Sequence, residues 1–246
     1  MRLQVLISTY GRAGIDRTAA LRLPEVKEAG YLVGWQRGGD NGPVPQALIR
    51  PDMIVVESDT RGLAANRNML LRRAEAPLLK ISDDDVELAA GELRDLIQAF
   101  DDNPDADILL SRYRSSAGDR PYPPHSFLLQ DAPKGYWPAS IEINIRKDRV
   151  PLLFDTRFGL NSGHYICGED DAYIVDALRS GLIIRYVPVT VGTHHGLSTG
   201  QRLSPLDRRF LLTKAAILRR LHPYSWPLRL GAHIFRSLTT SRRKTP

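Results

Sequence analysis

The sequence predicts an α/β fold in which helices flank a mixed, mostly parallel sheet. Short apolar runs bounded by turn residues alternate with segments of helical period through the first two-thirds of the chain. That alternation is typical of layered α/β proteins. The 246 residues are 42% hydrophobic and 25% charged, so the chain can bury one large core.

The predicted elements follow in chain order. We expect strands at residues 3–9, 31–35, 53–56, 78–82 and 108–110, which are short and aliphatic or β-branched. We expect helices at 63–74 and 91–102, where apolar residues recur at helical spacing and a proline follows. A strand at 141–146, a helix at 170–180 closed by Gly181 and a strand at 182–191 complete the series.

Residues 114–140 interrupt this regular pattern. They lack periodicity and are rich in proline, glycine and tyrosine. Because long irregular segments inside a domain are often functional, we expect a loop or lid here.

Composition excludes several classes of protein. The single cysteine, Cys167, rules out an internal disulfide and a multi-cysteine zinc site, and fits a reducing compartment, which we expect to be the cytoplasm. No run of about 18 apolar residues predicts a membrane span, and the apolar run at the N-terminus is too short for a signal peptide.

Charge divides the chain unevenly. The net charge is +6, yet residues 201–246 hold 11 basic residues against one acid, while residues 1–200 hold 23 basic and 27 acidic residues. We therefore expect a domain at 1–200 and a basic, amphipathic, helical extension at 201–246. Since the excess is confined to one end, we expect no nucleic acid partner. Docking on an anionic membrane is one interpretation of the extension; two helices packed on the core with basic outer faces are the alternative.

Three carboxylates, Asp83, Asp84 and Asp85, come directly after the predicted strand 78–82. Ligands of open α/β sheets bind outside the carboxyl ends of the strands. Three like charges repel unless a cation offsets them, and oxygen ligands select a hard ion such as Mg²⁺ or Mn²⁺. The alternative is an acidic turn whose first aspartate caps the next helix.

A second acidic group, Glu169 to Asp171, precedes the predicted helix 170–180. Acids at this position complement the helix dipole, which is the structural interpretation. The catalytic interpretation is that one carboxylate, for which we choose Asp170, accepts the proton of an attacking hydroxyl.

Two further segments offer ligands. His194 and His195 follow the strand 182–191 and could bind metal or diphosphate, or be polar surface. Residues 62–68 open the helix 63–74, and its free N–H groups with Arg67 suit an anionic or nucleotide ligand; an exposed helix start is the alternative. There is no G-x-G-x-x-G or Walker A sequence, which argues against dinucleotide enzymes and P-loop kinases.

Four segments, in this order and spacing, resemble the family 2 glycosyltransferases of the Rossmann-like GT-A fold. They are Ser-Thr-Tyr-Gly-Arg at 8–12, Gly-Leu-Ala-Ala-Asn-Arg-Asn at 62–68, Asp-Asp-Asp at 83–85 and Gly-Glu-Asp-Asp at 168–171. The resemblance covers residues 1–200. Gln36 departs from it, because an acid commonly ends the second strand of that family.

The resemblance implies a role for each matched residue. It implies binding of the nucleotide sugar by Thr9, Tyr10, Arg12, Gln36, Arg67, Asp83 and Asp84. It implies a divalent cofactor, Mn²⁺ or Mg²⁺, held by Asp85 with Asp83 and by His194 or His195. It implies catalysis by Asp170 with Glu169.

The implied function is inverting transfer of a hexosyl or similar sugar from a nucleoside diphosphate sugar, by default a UDP-sugar. The implied acceptor is a hydroxyl of a glycan or lipid-linked molecule, as in bacterial surface polysaccharide synthesis at the inner face of the plasma membrane. A metal-dependent nucleotidyltransferase is one alternative, although its Gly-rich N-terminal loop with a lysine is missing. A non-catalytic membrane or nucleic-acid-binding module is the other.

Overall fold

The computed structural model describes residues 1–116, 118, 120–195 and 204–242, which form one nine-stranded mixed sheet with helices on both faces. The strands are β1 (Leu3–Tyr10), β2 (Ala29–Gln36), β3 (Met53–Ser58), β4 (Leu78–Asp83), β5 (Val86–Glu87), β6 (Ile108–Ser115), β7 (Phe127–Leu128), β8 (Ile143–Arg146) and β9 (Ile184–His194). The helices are α1 (Gly11–Ala20), α2 (Leu63–Arg73), α3 (Ala90–Asp102), α4 (Glu169–Arg179), α5 (Arg208–Leu221) and α6 (Trp226–Arg242).

The strand order is β3-β2-β1-β4-β8-β6-β9-β5, with β7 also paired to β9. Strands β1 to β4 pair in parallel, as do β6 and β9, whereas β8, β5 and β7 run antiparallel to their neighbours. In register, Tyr10 lies beside Gln36 and Ser8 beside Asp83. Three strands therefore deliver predicted site residues to one edge of the sheet.

Alternating side chains of β1 divide the core into two layers. Leu3, Val5 and Ile7 pack with residues of α1 and α3 on one face. Leu6 packs with residues of α2 and α4 on the other. All four side chains are fully buried, as expected for a strand inside a parallel sheet covered on both faces.

The α/β fold predicted from sequence is confirmed, and several boundaries differ. Helix α1 was not predicted, because Ile15 is the one large apolar residue among its buried positions. The predicted strand 141–146 begins as a 3₁₀ turn, Ser140–Glu142, before β8. The irregular segment 114–140 contains the short strand β7.

The two C-terminal helices differ in how they meet the body. Helix α5 buries Thr213 and Ile217, and its Arg220 bonds Asp155 at 2.9 Å and Asp176 at 2.8 Å. Helix α6 packs on α5. The predicted boundary at 200 falls within residues 196–203, outside the described chain. Within the described residues, no helix combines the length and apolar character that a membrane span requires.

Candidate active site

A cavity of about 620 Å³ opens where β1, β2 and β4 end and α2 and α4 begin. This volume is typical of a site for a small organic ligand. Ten of the predicted site residues line it: Thr9, Tyr10, Gln36, Arg67, Asp83, Asp84, Asp85, Glu169, Asp170 and His194.

Asn66 of α2 fixes the edge of the sheet from which these residues project. Its Nδ2 donates to the carbonyl oxygens of Thr9 at 3.2 Å and Gly34 at 2.7 Å, joining the ends of β1 and β2 to the helix. A Cβ at Gly34 would lie 2.1 Å from Asn66 Oδ1. The glycine is therefore required for the close approach of α2 to the sheet.

Arg67, one residue further along α2, is only 1% exposed. Its Nη1 donates to Glu169 Oε1 at 2.7 Å, and its Nη2 donates to Asp83 Oδ1 at 2.7 Å and to Ser140 Oγ at 3.1 Å. Both terminal nitrogens of this guanidinium are thus engaged by protein groups. Arg67 joins β4, α4 and the turn before β8 rather than offering an open cation to a ligand.

Asp84 is also held by the protein. Its Oδ2 accepts from Thr9 Oγ1 at 2.7 Å, and Arg17 of α1 donates to both of its carboxylate oxygens at 3.0 Å. Burial nevertheless raises the pKa of Asp84. A Cβ at Gly14 would lie 2.3 Å from Thr9 Oγ1, so this glycine allows α1 to approach the pair.

Asp85 differs from its two neighbours because no cationic side chain of α1 or α2 bonds it. His194 Nε2 lies 3.4 Å from Asp85 Oδ2, while the buried Oδ1 has no hydrogen-bond partner among the described residues. Carboxylate oxygens suit Mg²⁺ and Mn²⁺, and imidazole is a common ligand of transition-metal ions. No three His, Cys, Asp or Glu side chains of the described chain converge as a metal site. The pair therefore fits a metal whose shell is completed by substrate phosphates, as is common for such ions.

The start of α4 carries the second acidic group into the cavity. Asp170 Oδ1 accepts from the N–H of Asp171 at 2.9 Å, and Oδ2 accepts from the N–H of Ser140 at 3.2 Å. Burial, with the neighbouring Asp171, raises the pKa of Asp170 to about 6 although Arg67 opposes the rise. Burial likewise raises the pKa of Glu169 to about 7. A carboxylate whose pKa is raised by burial is a stronger base than an exposed one.

Gln36 ends β2 with its amide oriented by the protein. Nε2 donates to the carbonyl of Gly62 and to Thr60 Oγ1, each at 3.1 Å. A carbonyl can only accept, which identifies this end of the amide as the nitrogen. The opposite atom, Oε1, accepts no hydrogen bond within the described residues and is left for a ligand. Arg37 turns away and donates to Glu57.

Two predicted site residues are not brought to the cavity. Arg12 donates to Asp40 at 2.7 Å and lies over Trp35, outside the cavity lining. His195 Nε2 lies 3.0 Å from Glu87 Oε2 at the surface. His195 lies just beyond the end of β9, where its N–H donates to the carbonyl oxygen of Asp85 at 3.2 Å while its side chain pairs with Glu87.

Several lining residues were not predicted from the sequence, among them Arg17, Ser140 and Phe210. Arg17 was missed with its helix, and Ser140 lies in the irregular segment. Phe210 belongs to α5, whose Thr213 Oγ1 accepts from the N–H of Ile166 at 3.3 Å. The sequence of α5 does not indicate that Phe210 lines the cavity, because only the packing of α5 on the body brings Phe210 there.

Comparison with known families identifies the class of protein. The model of Glycosyl transferase family 2 matches residues 46–173, about half of the chain. The chain therefore belongs to this family, as its resemblance indicated, and is a glycosyltransferase. No curated protein sequence matches it.

Solved structures support the fold. The crystal structure of S. aureus TarS 1-349 aligns with a TM-score of 0.64 at 17% identity over 99% of this chain and 74% of that one, and the complex of that protein with UDP gives the same values. Its complex with UDP-GlcNAc aligns with a TM-score of 0.58 at 16% identity over 89% and 66% of the two chains. A mycobacterial protein aligns with a TM-score of 0.59 at 15% identity over 89% and 74%. The GT-A fold is thus confirmed.

Proposed function

We propose that this enzyme transfers a sugar with inversion from a nucleoside diphosphate sugar to an acceptor hydroxyl, with Asp170 as the general base. The observation that carries the proposal is the pair of main-chain N–H groups that hold the Asp170 carboxylate in the same cavity as Asp85 and His194. Asp170 can take a proton, while Asp85 and His194 would hold a divalent cation that stabilises the leaving diphosphate.

In this mechanism the acceptor hydroxyl attacks the anomeric carbon as its proton passes to Asp170. The bond from that carbon to the diphosphate oxygen breaks in the same displacement, so no covalent intermediate forms on the protein. The raised pKa of Asp170 favours proton acceptance while leaving the group ionised at neutral pH.

Gln36 supports uridine as the base of the donor. Its oriented carbonyl Oε1 can only accept a hydrogen bond. Uracil offers a ring N–H between two carbonyls, whereas cytosine offers a bare nitrogen at that position. Gln36 therefore replaces the usual acid with a neutral acceptor. That TarS has been crystallised with UDP and UDP-GlcNAc supports the same assignment.

Asp85 and His194 would hold the divalent metal, with Asp83 kept next to them by Arg67. A bound Mn²⁺ or Mg²⁺ would neutralise charge on the diphosphate as it leaves. We assign Asp84, which is fixed by Thr9 and Arg17, to the ribose.

A panel of nucleotide sugars, assayed for hydrolysis or transfer with Mn²⁺ or Mg²⁺, tests the proposal. Asp170→Asn should lower turnover about 10²- to 10⁴-fold, the usual contribution of a general base, while donor affinity stays near that of the wild type. Asp16→Asn is the matched control, because its side chain is 53% exposed on α1. Near-normal turnover of Asp170→Asn would remove Asp170 from this role. Release of pyrophosphate instead of a nucleoside diphosphate would identify a nucleotidyltransferase.

Helix α6 supports a further part of the proposal, namely peripheral association with an anionic membrane and a glycan or lipid-linked acceptor. Leu228, Phe235 and Leu238 are 79%, 69% and 49% exposed, and their spacing places them on one face of the helix. Arg229 and Arg236 are exposed beside that face. An apolar stripe flanked by arginines suits the interface of an anionic bilayer.

Co-sedimentation with vesicles tests this association. We expect the protein to bind vesicles that contain anionic lipid and to bind neutral ones less, and the double variant Leu228→Ser, Phe235→Ser to lose most binding. Ile49→Ser with Ile54→Ser is the matched control, since both residues are exposed but lie on the body. Equal binding by the two double variants would contradict the assignment, as would sedimentation without vesicles, which would indicate self-association through α6.

A further inference from the structure

Glu142 is a completely buried carboxylate that the proposed mechanism does not use. It is 0% exposed. Oε1 accepts from Arg120 Nη1 at 2.8 Å and from Tyr122 Oη at 3.0 Å, and Oε2 accepts from Tyr136 Oη at 2.9 Å. Three side-chain partners around a fully buried carboxylate are expensive to assemble, because each must be ordered and partly desolvated.

The cluster fixes the chain that leads into the cavity. Glu142 Oε1 also accepts from the main-chain N–H of Ala139 at 3.3 Å, closing the 3₁₀ turn Ser140–Glu142 on itself. Arg120 donates to the carbonyl of Trp137, three residues before that turn. Both contacts pin the segment immediately before Ser140.

Ser140 is where this segment meets the proposed base. Its N–H donates to Asp170 Oδ2 at 3.2 Å, and its Oγ accepts from Arg67 Nη2 at 3.1 Å. The N–H of the first residue of a helical turn has no partner within the turn, so it is available for this bond. A single residue thus touches both the base and the buried arginine.

We propose that the main-chain N–H of Ser140, held in place by the buried Glu142 cluster, orients the Asp170 carboxylate toward the acceptor. Ser140 and Glu142 are positioning residues, since neither needs to touch the reacting atoms. The inference rests on the proposed role of Asp170 as base. It assigns residues 120–142, which include most of the irregular segment 114–140, a positioning function in catalysis.

Position 140 allows the N–H to be deleted by itself. Ala139 has φ −99° and ψ 164°, an extended conformation that proline accepts in the residue before it. Proline also fits the first position of a helical turn. Ser140→Pro therefore removes the donor to Asp170, and Ser140→Ala is its matched control, because both lose Oγ and only the alanine keeps the N–H.

The measurement is a titration of the Asp170 carboxyl carbon by ¹³C NMR, with the resonance identified by its loss in Asp170→Asn. A hydrogen bond to the ionised form lowers the pKa of a carboxyl group, so its removal should raise that pKa. We expect Ser140→Pro to raise the pKa of Asp170 by about one pH unit relative to Ser140→Ala. The charged groups that face Asp170, which are Arg67, Glu169 and Asp171, are the same in both variants.

Glu142→Gln tests the cluster behind Ser140, and the direction of the change is informative. Removing a negative charge would by itself lower the pKa of Asp170. Loosening the Ser140 N–H would raise it, which is the expected result, together with a fall in kcat of about tenfold at unchanged donor KM. Tyr136→Phe, which keeps the charge and deletes one hydrogen bond, should shift the pKa in the same direction by less and serves if Glu142→Gln unfolds.

Equal titration of Asp170 in Ser140→Pro and Ser140→Ala would overturn the proposal, and a lowered or unchanged pKa in Glu142→Gln would remove Glu142 from it. Since NMR observes the carboxyl group without turnover, its result stands apart from the proposed function. Failure to turn over any nucleotide sugar would reject the function while leaving the titration to decide the geometry.

Discussion

Asp83 and Asp85 are two residues apart in one acidic triplet, yet the protein treats them in opposite ways. Asp83 accepts from the buried Arg67 at 2.7 Å. Asp85 faces His194, and its Oδ1 has no hydrogen-bond partner among the described residues. Asp83 therefore forms an ion pair with a buried cation of the protein itself. Asp85 has no such cation within the described chain, and it is the carboxylate that the proposed function assigns to the metal.

Breaking the Arg67 side should have the largest effect. Arg67→Met leaves Glu169 and Asp83 without their cation, and we expect a loss of about 3–5 kcal/mol in the free energy of unfolding. Urea denaturation measures it, with Arg72→Met, an exposed position of the same helix, as control. Adding Glu169→Gln should restore part of the loss. A stability within about 0.5 kcal/mol of the wild type would mean that Arg67 does not hold the site together.

Breaking the Asp85 side should affect the ligand rather than the fold. Asp85→Asn should leave metal-free stability within about 0.5 kcal/mol of the wild type and lower metal-dependent turnover at least about 100-fold. Melting temperatures with and without UDP and Mn²⁺ provide the binding measurement, because a ligand stabilises only the form that binds it. If UDP and Mn²⁺ raise the Tm of the variant as much as that of the wild type, Asp85 is not the metal ligand.

The pH dependence of turnover separates the base from the metal pair. Asp170 must be ionised to accept a proton, and its raised pKa is about 6. Turnover should therefore fall as the pH falls through about 6, approaching tenfold per pH unit. Stabilisation by UDP and Mn²⁺, followed over the same range, reports on Asp85 and His194 separately. An acid limb that coincides with loss of binding would assign the pH effect to the metal pair.

The smallest effects are expected at the second histidine and its partner. His195→Ala and Glu87→Gln alter a surface pair and should change turnover by less than about twofold, consistent with substitutions away from the site. His194→Ala should lower the apparent affinity for Mn²⁺ about tenfold or more. The two histidines are adjacent, so a Mn²⁺ titration of both variants is a stringent comparison. Equal effects of the two substitutions on Mn²⁺ affinity would contradict the assignment of the metal to His194 alone.

Much of the fold was accessible from the sequence, because strands and helices with strong apolar periods were predicted close to their observed positions. The acidic group at the start of α4 was predicted, because acidic residues followed by apolar residues at helical spacing are a local sequence pattern. Helix α1 was not, since it carries little apolar period. Because α1 was not predicted, the site contacts of Arg17 and the close approach of Gly14 to Thr9 were not predicted either.

The sequence by itself determined that this chain is an α/β glycosyltransferase with one acidic group at a strand exit, a second at a helix start and a basic C-terminal end. Only the tertiary structure decided which partner each polar side chain of the site contacts. It turned Arg67 inward, separated His194 from His195, fixed the Gln36 amide and brought Ser140 to Asp170. The reason is physical: periodicity and composition report which residues are apolar and where turns fall. The partner of a charge depends on residues as far apart as Arg67 and Glu169, which only the folded chain brings within 2.7 Å.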